Sequence, residues 1–87
     1  MTAENLKSPE AIIRQYIQEN VNLSDLDNDF DIFEAGIVNS LFAIELMTFL
    51  EKSFNLKVTM DDLDMANFKS IHATAEFVRR KEEAKRV

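Results

Sequence analysis

Apolar residues return at helical spacing in three stretches of the chain and lose that rhythm between them. In the first stretch Ile12, Ile13, Tyr16 and Ile17 share one stripe at i, i+3, i+4 offsets. Ser8-Pro9-Glu10 stands before it as a cap, a proline tolerated at the first helical position and an acid suited to the positive end of the dipole. A first helix is predicted over about 9–20. In the second stretch Ala43, Leu46, Met47, Leu50 and Phe54 form an unbroken inward stripe, predicting a helix over 40–54. In the last, Ile71, Ala75 and Val78 recur with Phe77 alongside, and Ser70 precedes them as a cap, predicting a helix over 71–84. Between the second and last helices, Thr59 with Asp62 three residues on resembles a capping box built with a shorter acid. It predicts a short third helix near 61–65 with Leu63 turned inward.

Residues 21–39 lack a helical period yet contain Leu23, Leu26, Phe30, Ile32, Phe33, Ile37 and Val38. That much apolar surface predicts a long connection packed along the helices, punctuated by Gly36. Asp25, Asp27, Asp29 and Asp31 alternate like the ligands of a calcium loop. An EF-hand loop opening at Asp25 requires glycine at its sixth position and glutamate at its twelfth, where this chain has Phe30 and Gly36, so the match fails. The expectation is all-α: a small four-helix bundle with a long first loop and a short third helix, the second helix forming much of the core. Its segments are a flexible N-terminus at 1–8, the domain at 9–82 and a basic tail at 83–87.

The second helix carries more apolar surface than one packing face can hide, because Leu41, Phe42, Ile44 and Phe49 fall on its other faces. Phe49 is expected to meet a neighbouring helix. Leu41 and Ile44, flanked by Glu45, Thr48 and Lys52, are expected to face a partner.

Composition narrows the chemistry. The chain has 87 residues, 46% hydrophobic and 30% charged, with one glycine, one proline and no cysteine. This suits one small helical domain and excludes a multidomain enzyme, disulfides, thiolate metal sites and a thiol nucleophile. The single histidine, His72, has no second histidine or cysteine to join in a metal site or relay, and is expected at the surface. No catalytic and no metal-binding residues are assigned. No apolar run is long enough to cross a bilayer, and the N-terminus lacks a signal-type apolar core; the expectation is a cytoplasmic monomer, away from membranes. The net charge of −6 divides unevenly: residues 1–67 hold 13 Asp/Glu against 4 Lys/Arg, and residues 68–87 hold 3 against 6. An acidic body repels phosphate backbones, so nucleic acid is not expected as a partner. The basic cluster Arg79, Arg80, Lys81, Lys85 and Arg86 reads as a complement to the last helix's dipole.

Of the five serines, Ser8 and Ser70 open helices, Ser24 can cap a turn with Asp27, and Ser53 lies late in the second helix. Ser40 also stands at a helix start, and its local reading is an N-cap. Its company changes that reading. Phe33-Glu34-Ala35-Gly36-Ile37-Val38-Asn39-Ser40-Leu41 resembles the attachment segment of the acyl carrier proteins, of the phosphopantetheine-binding superfamily. Glu45-Leu46, Leu50-Glu51, Phe54, Val58, the short third helix and the last helix from Ile71 follow in the family's order, so the resemblance spans roughly 9–80. It implies that Ser40 accepts 4′-phosphopantetheine from coenzyme A through a separate phosphopantetheinyl transferase, and that the arm's thiol then holds cargo as a thioester. The protein itself would be no enzyme. A chain without cysteine has to borrow such a thiol. The resemblance further implies docking through Leu41, Ile44, Glu45, Thr48 and Glu51 of the second helix, with Asp61 and Asp62 adding charge near the third.

Asn39 stands where many fatty-acid-type carriers have aspartate, and Phe42 adds bulk nearby. Together with Glu51-Lys52-Ser53-Phe54 and the run from Asp62 to Ile71, this looks more like discrete carriers of specialised biosynthesis. Those carry methoxymalonyl, hydroxymalonyl or aminomalonyl units for polyketide or hybrid polyketide and nonribosomal peptide assembly. Implied partners are an acyl-loading or adenylating enzyme and an acyltransferase, dehydrogenase or ketosynthase. Alternatives are a carrier for fatty acid or other acyl transfer, an unmodified helical interaction module, and a weak calcium switch using the loop aspartates.

Overall fold

The computed structural model describes residues 8–21 and 25–85; Leu23, the Ser24 turn cap, the segment 1–7 and Arg86 lie outside the described residues. Among the described residues there are three α-helices: α1 (Pro9–Val21), α2 (Ser40–Phe54) and α3 (Ile71–Lys85). Two 3₁₀ turns, Met60–Asp62 and Met65–Asn67, separate α2 from α3, and no strand occurs among the described residues. No described helix is long and apolar enough to cross a membrane.

The helix ends follow from local chemistry. Ser8 Oγ accepts from the Ala11 N–H at the start of α1, and Ser70 Oγ accepts from the Ala73 N–H at the start of α3. Helix α2 stops at Asn55, whose left-handed backbone (φ 52°) lets its N–H return to the Glu51 carbonyl.

Ile13 and Ile17 of α1, Leu46 and Leu50 of α2, and Ile71, Ala75, Phe77 and Val78 of α3 form one dry core. Of the apolar stripe along α2, Ala43, Leu46 and Leu50 are buried and Met47 and Phe54 half-buried. Phe42, expected on another face, is also buried; its ring centroid lies 6.1 Å from that of Tyr16 on α1. Helix α2 thus buries a wider arc than one stripe, because α1 closes over its first turn. Phe49 meets α1 as expected, stacking on Tyr16 at 4.0 Å between centroids. Fully burying each large apolar side chain is worth about 1.5–3 kcal/mol, so this cluster supplies most of the drive to fold.

The long first connection is packed, with Leu26 and Ile32 buried in the core. It is also strapped to both neighbouring helices. The Arg14 guanidinium donates to the Leu26 carbonyl and Asn28 Oδ1. The Asn28 carbonyl accepts from the His72 N–H, and the Ile32 N–H donates to the Lys69 carbonyl, each at 2.8 Å. Two of the loop aspartates cap local turns: Asp27 accepts from the Asp29 N–H, and Asp31 from the Phe33 and Glu34 N–H groups. Gly36, at φ +77°, occupies a conformation costly to residues with a Cβ.

The short third helix is corrected by the structure. Its residues form two 3₁₀ turns because Leu63 leaves helical geometry (ψ 72°) and Asp64 recaps the chain, accepting from the Ala66 N–H. A short acidic side chain competing for backbone N–H groups breaks a nascent helix in this way. The Thr59 and Asp62 capping box forms as anticipated. Leu63 is not turned inward; it is 48% exposed.

Candidate functional site

The site begins with the residue that caps α2. Asn39 holds an extended backbone, and its Oδ1 accepts from the Phe42 N–H at 3.2 Å. Asparagine is among the best N-caps, so Ser40 is displaced from capping and becomes the first residue of the helix. The N-cap reading of Ser40 is thereby corrected; the signal was the asparagine directly before it. Ser40 is exposed, and its hydroxyl has no hydrogen-bond partner among the described residues. The N–H groups of Ser40 and Leu41 also lack a protein acceptor there, as the first turn of a helix dictates. An exposed, uncommitted hydroxyl beside free N–H groups at the positive end of a helix dipole fits a covalently attached phosphodiester.

Beside Ser40 lies a cleft of about 210 Å³, lined by Ala43 and Ile44 of α2, by Leu63, Asp64 and Met65 of the 3₁₀ segment, and by Phe68. Its walls are almost wholly apolar. A second cleft, about 350 Å³, runs from Met47 to Met60 and shares Leu63 with the first. A broader groove of about 510 Å³ on the other flank of Ile44 runs between α1 and α2, past Tyr16, Glu45, Thr48 and Phe49. Desolvation, helped by the nearby Glu45 charge, pushes the Tyr16 phenol above its ordinary pKa.

The residues anticipated for docking divide into two groups. Leu41 (62% exposed) and Ile44 (54%) project from α2, with Glu45 and Thr48 exposed beside them, and Asp61 is exposed on the first 3₁₀ turn. Thr48 Oγ1 donates to the Ile44 carbonyl one turn back. Glu51 and Asp62 are instead half-buried and engaged within the protein. Glu51 Oε2 accepts from the Val58 N–H at 2.9 Å. Asp62 Oδ2 accepts from the Thr59 N–H and hydroxyl and pairs with Lys81 Nζ at 2.7 Å. Burial raises the Asp62 pKa, but the Lys81 and Thr59 hydrogen bonds outweigh it and hold the carboxyl below its ordinary value. Sequence reasoning did not find Met60, Leu63 and Met65, which are 82%, 48% and 44% exposed beside these residues. Reading the segment as one helix had turned Leu63 inward.

Three cations of the basic cluster, Arg79, Arg80 and Lys81, are committed to side-chain contacts. Arg79 makes a two-pronged pair with Glu10 at 2.7 and 2.8 Å, Arg80 donates to Asn67 Oδ1 and Lys81 holds Asp62. Dipole complementation therefore does not exhaust the role of this cluster. His72 is exposed, and among the described residues no group of three or more acids and histidines is gathered as a metal site.

Residues 11–78 match the family described as the phosphopantetheine attachment site. The D-alanyl carrier protein of Streptococcus uberis is 30% identical over 79 residues, an alignment that covers 91% of this chain and 94% of that protein. With nearly the whole fold matched, the chain belongs to the phosphopantetheine attachment family, as a carrier protein that bears covalent 4′-phosphopantetheine and performs no catalysis itself.

Proposed function

We propose that Ser40 Oγ is the attachment point and that the protein is a discrete carrier of a small acyl or aminoacyl group in specialised polyketide or nonribosomal peptide assembly. The observation that carries this reading is the exposed, unbonded hydroxyl of Ser40, standing next to an apolar cleft at the free N-terminus of α2. When attached, the arm supplies a thiol that holds cargo as a thioester. Among the described residues none hydrogen-bonds to Ser40 Oγ, so the base that takes its proton comes from the phosphopantetheinyl transferase. The Ser40 and Leu41 N–H groups then favour the anionic linkage.

Small cargo is supported by the size of the cleft, about 210 Å³, which lies below the ~300–1,000 Å³ of drug-sized ligand pockets. Asn39, where many fatty-acid-type carriers have aspartate, supports a specialised carrier over a fatty-acid one, with methoxymalonyl, hydroxymalonyl or aminomalonyl units as candidates; Phe42, turned into the core, adds nothing to that choice. The relative's name brings D-alanine as another. Leu41 and Ile44 anchor partners with Thr48 beside them, Glu45 and Asp61 steer basic surfaces toward this face, and Glu51 and Asp62 shape the face they share. Those partners are the transferase, a loading or adenylating enzyme and the acyltransferase, dehydrogenase or ketosynthase that uses the loaded form, met in the cytoplasm.

Incubation with coenzyme A and a broad-specificity transferase tests the reading by intact mass. One phosphopantetheine is expected on the wild type and none on Ser40→Ala. No gain, with a transferase that modifies a control carrier, overturns it. Loading the modified protein through malonyl-type transferases or a D-alanine ligase then separates the candidate cargoes.

A further inference from the structure

Between Leu56 and Phe68, both buried in the core, the chain forms an arch in which no residue is buried. Hydrophobic packing therefore secures its two feet, with Val58 half-buried against the core just after the first, and leaves the two 3₁₀ turns without a buried anchor. What holds the span is polar. Lys81 Nζ meets Asp62 Oδ2 at 2.7 Å and so grips the first 3₁₀ turn. Arg80 donates to Asn67 Oδ1 at 2.9 Å and grips the second. Asn67 Nδ2 donates to the Asp62 carbonyl at 3.0 Å, tying the two turns together. Both cations also lie about 6 Å from the centroid of the Phe77 ring, at 5.9 and 6.0 Å, which limits their wandering. The arch in turn supplies Leu63, Asp64 and Met65 to the cleft whose other wall is α2 with Ser40 and Ile44.

We infer that Arg80 and Lys81 are positioning residues for group transfer at Ser40, setting from α3 the stance of the arch that a docking enzyme must read together with α2. The inference rests on the Ser40 reading above. An enzyme reaching Ser40 covers both walls of the cleft, so a loosened arch costs it binding. Ser40 sits on the rigid start of α2, so the chemical step is untouched. Loosening should raise KM for the carrier and leave kcat alone.

The test uses the full chain as wild type, Lys81→Met, Arg80→Gln and the conservative Lys81→Arg. Amide exchange is followed at Leu63, Asn67 and Phe68, whose N–H groups bond within the arch, and at Ile13 and Ile17 as core references. Steady-state kinetics follow arm transfer from coenzyme A by a broad-specificity transferase. Lys81→Met and Arg80→Gln are expected to speed exchange in the arch and not in the core. Each should raise KM by roughly 2- to 10-fold, the scale of one net hydrogen bond or one partly exposed ion pair, at constant kcat. Lys81→Arg should restore both. Unchanged arch exchange, or faster exchange with KM unmoved, overturns the inference. A fall in kcat matching the fall in kcat/KM overturns it as well. A wild type that takes no arm refutes the Ser40 reading instead, and the exchange measurement still reports whether the two cations hold the arch. Should one of the single variants melt globally, the other and Lys81→Arg carry the same comparison.

Discussion

Helix α2 divides the molecule between two kinds of neighbour. On one side α1 and α3 press Ile13, Ile17, Phe77 and Val78 against Leu46 and Leu50, all at 0–1% exposure. Across the cleft beside Ser40, and held to α3, stands an arch of two 3₁₀ turns with no residue buried, pinned by Lys81, Arg80 and the Glu51 carboxylate. The first region holds the fold by excluding water. The second presents Met60, Leu63 and Met65 to solvent beside Ser40 and keeps its shape by directional bonds. Stability is thus carried by other atoms than those of the proposed docking face, and a change in one region should leave the other largely intact.

That separation can be broken by experiment, beginning with the largest effect. Ile17→Ala or Leu50→Ala leaves a cavity in the dry side and is expected to cost about 2–5 kcal/mol by denaturant unfolding. A loss of only a few tenths would mean that the core lies elsewhere. Asn39→Ala removes the side-chain cap of α2 and should cost about 0.5–2 kcal/mol, while Asn39→Asp, able to accept the same N–H, should cost less. Equal losses would show that the Asn39 side-chain acceptor is not what holds the start of α2.

Acid probes the polar pins. Hydrogen bonds from Arg79 lower the Glu10 pKa, and the Lys81 and Thr59 bonds, against burial, lower that of Asp62. A group depressed in the folded state contributes stability that is fully present above the ordinary carboxylate range and is lost as pH falls through its folded value. Unfolding measured down a pH series should therefore show a loss below the ordinary carboxylate range that Glu10→Gln reduces. The Glu10 pair is partly exposed, so its share is about 0.2–1 kcal/mol. The smallest stability effect is expected of Leu41→Asp or Ile44→Asp, within about 0.5 kcal/mol of wild type, because both side chains already face water. Transfer to and from Ser40 should nevertheless fall sharply in these variants. A large drop in melting temperature would place Leu41 or Ile44 in the core and remove them from the docking face.

Much of the molecule was legible in its sequence. The stripe of α2 predicted a helix over 40–54, the span it occupies, and the serine caps placed the starts of α1 and α3. Helical periodicity and capping are local, so the chain order alone expresses them. Ser40 was singled out as a candidate through the resemblance of its surroundings; its freedom from capping duty was also local, written in Asn39.

What the sequence determined by itself was the helical fold class, the apolar faces of the three helices, and a serine at the first turn of α2 with apolar residues after it. Tertiary structure alone decided that Asp62 and Glu51 turn to Lys81 and Val58, that Arg79 closes on Glu10, and that Leu63 faces outward. The reason is distance along the chain. A carboxylate such as Asp62 or Glu10 looks free until a helix from further along the chain brings a cation within reach, and Glu51 looks free until the chain after α2 turns back and offers it the Val58 N–H. A leucine in a stretch too short for two helical turns takes its direction from the neighbours that hold it, since no period of its own can set it.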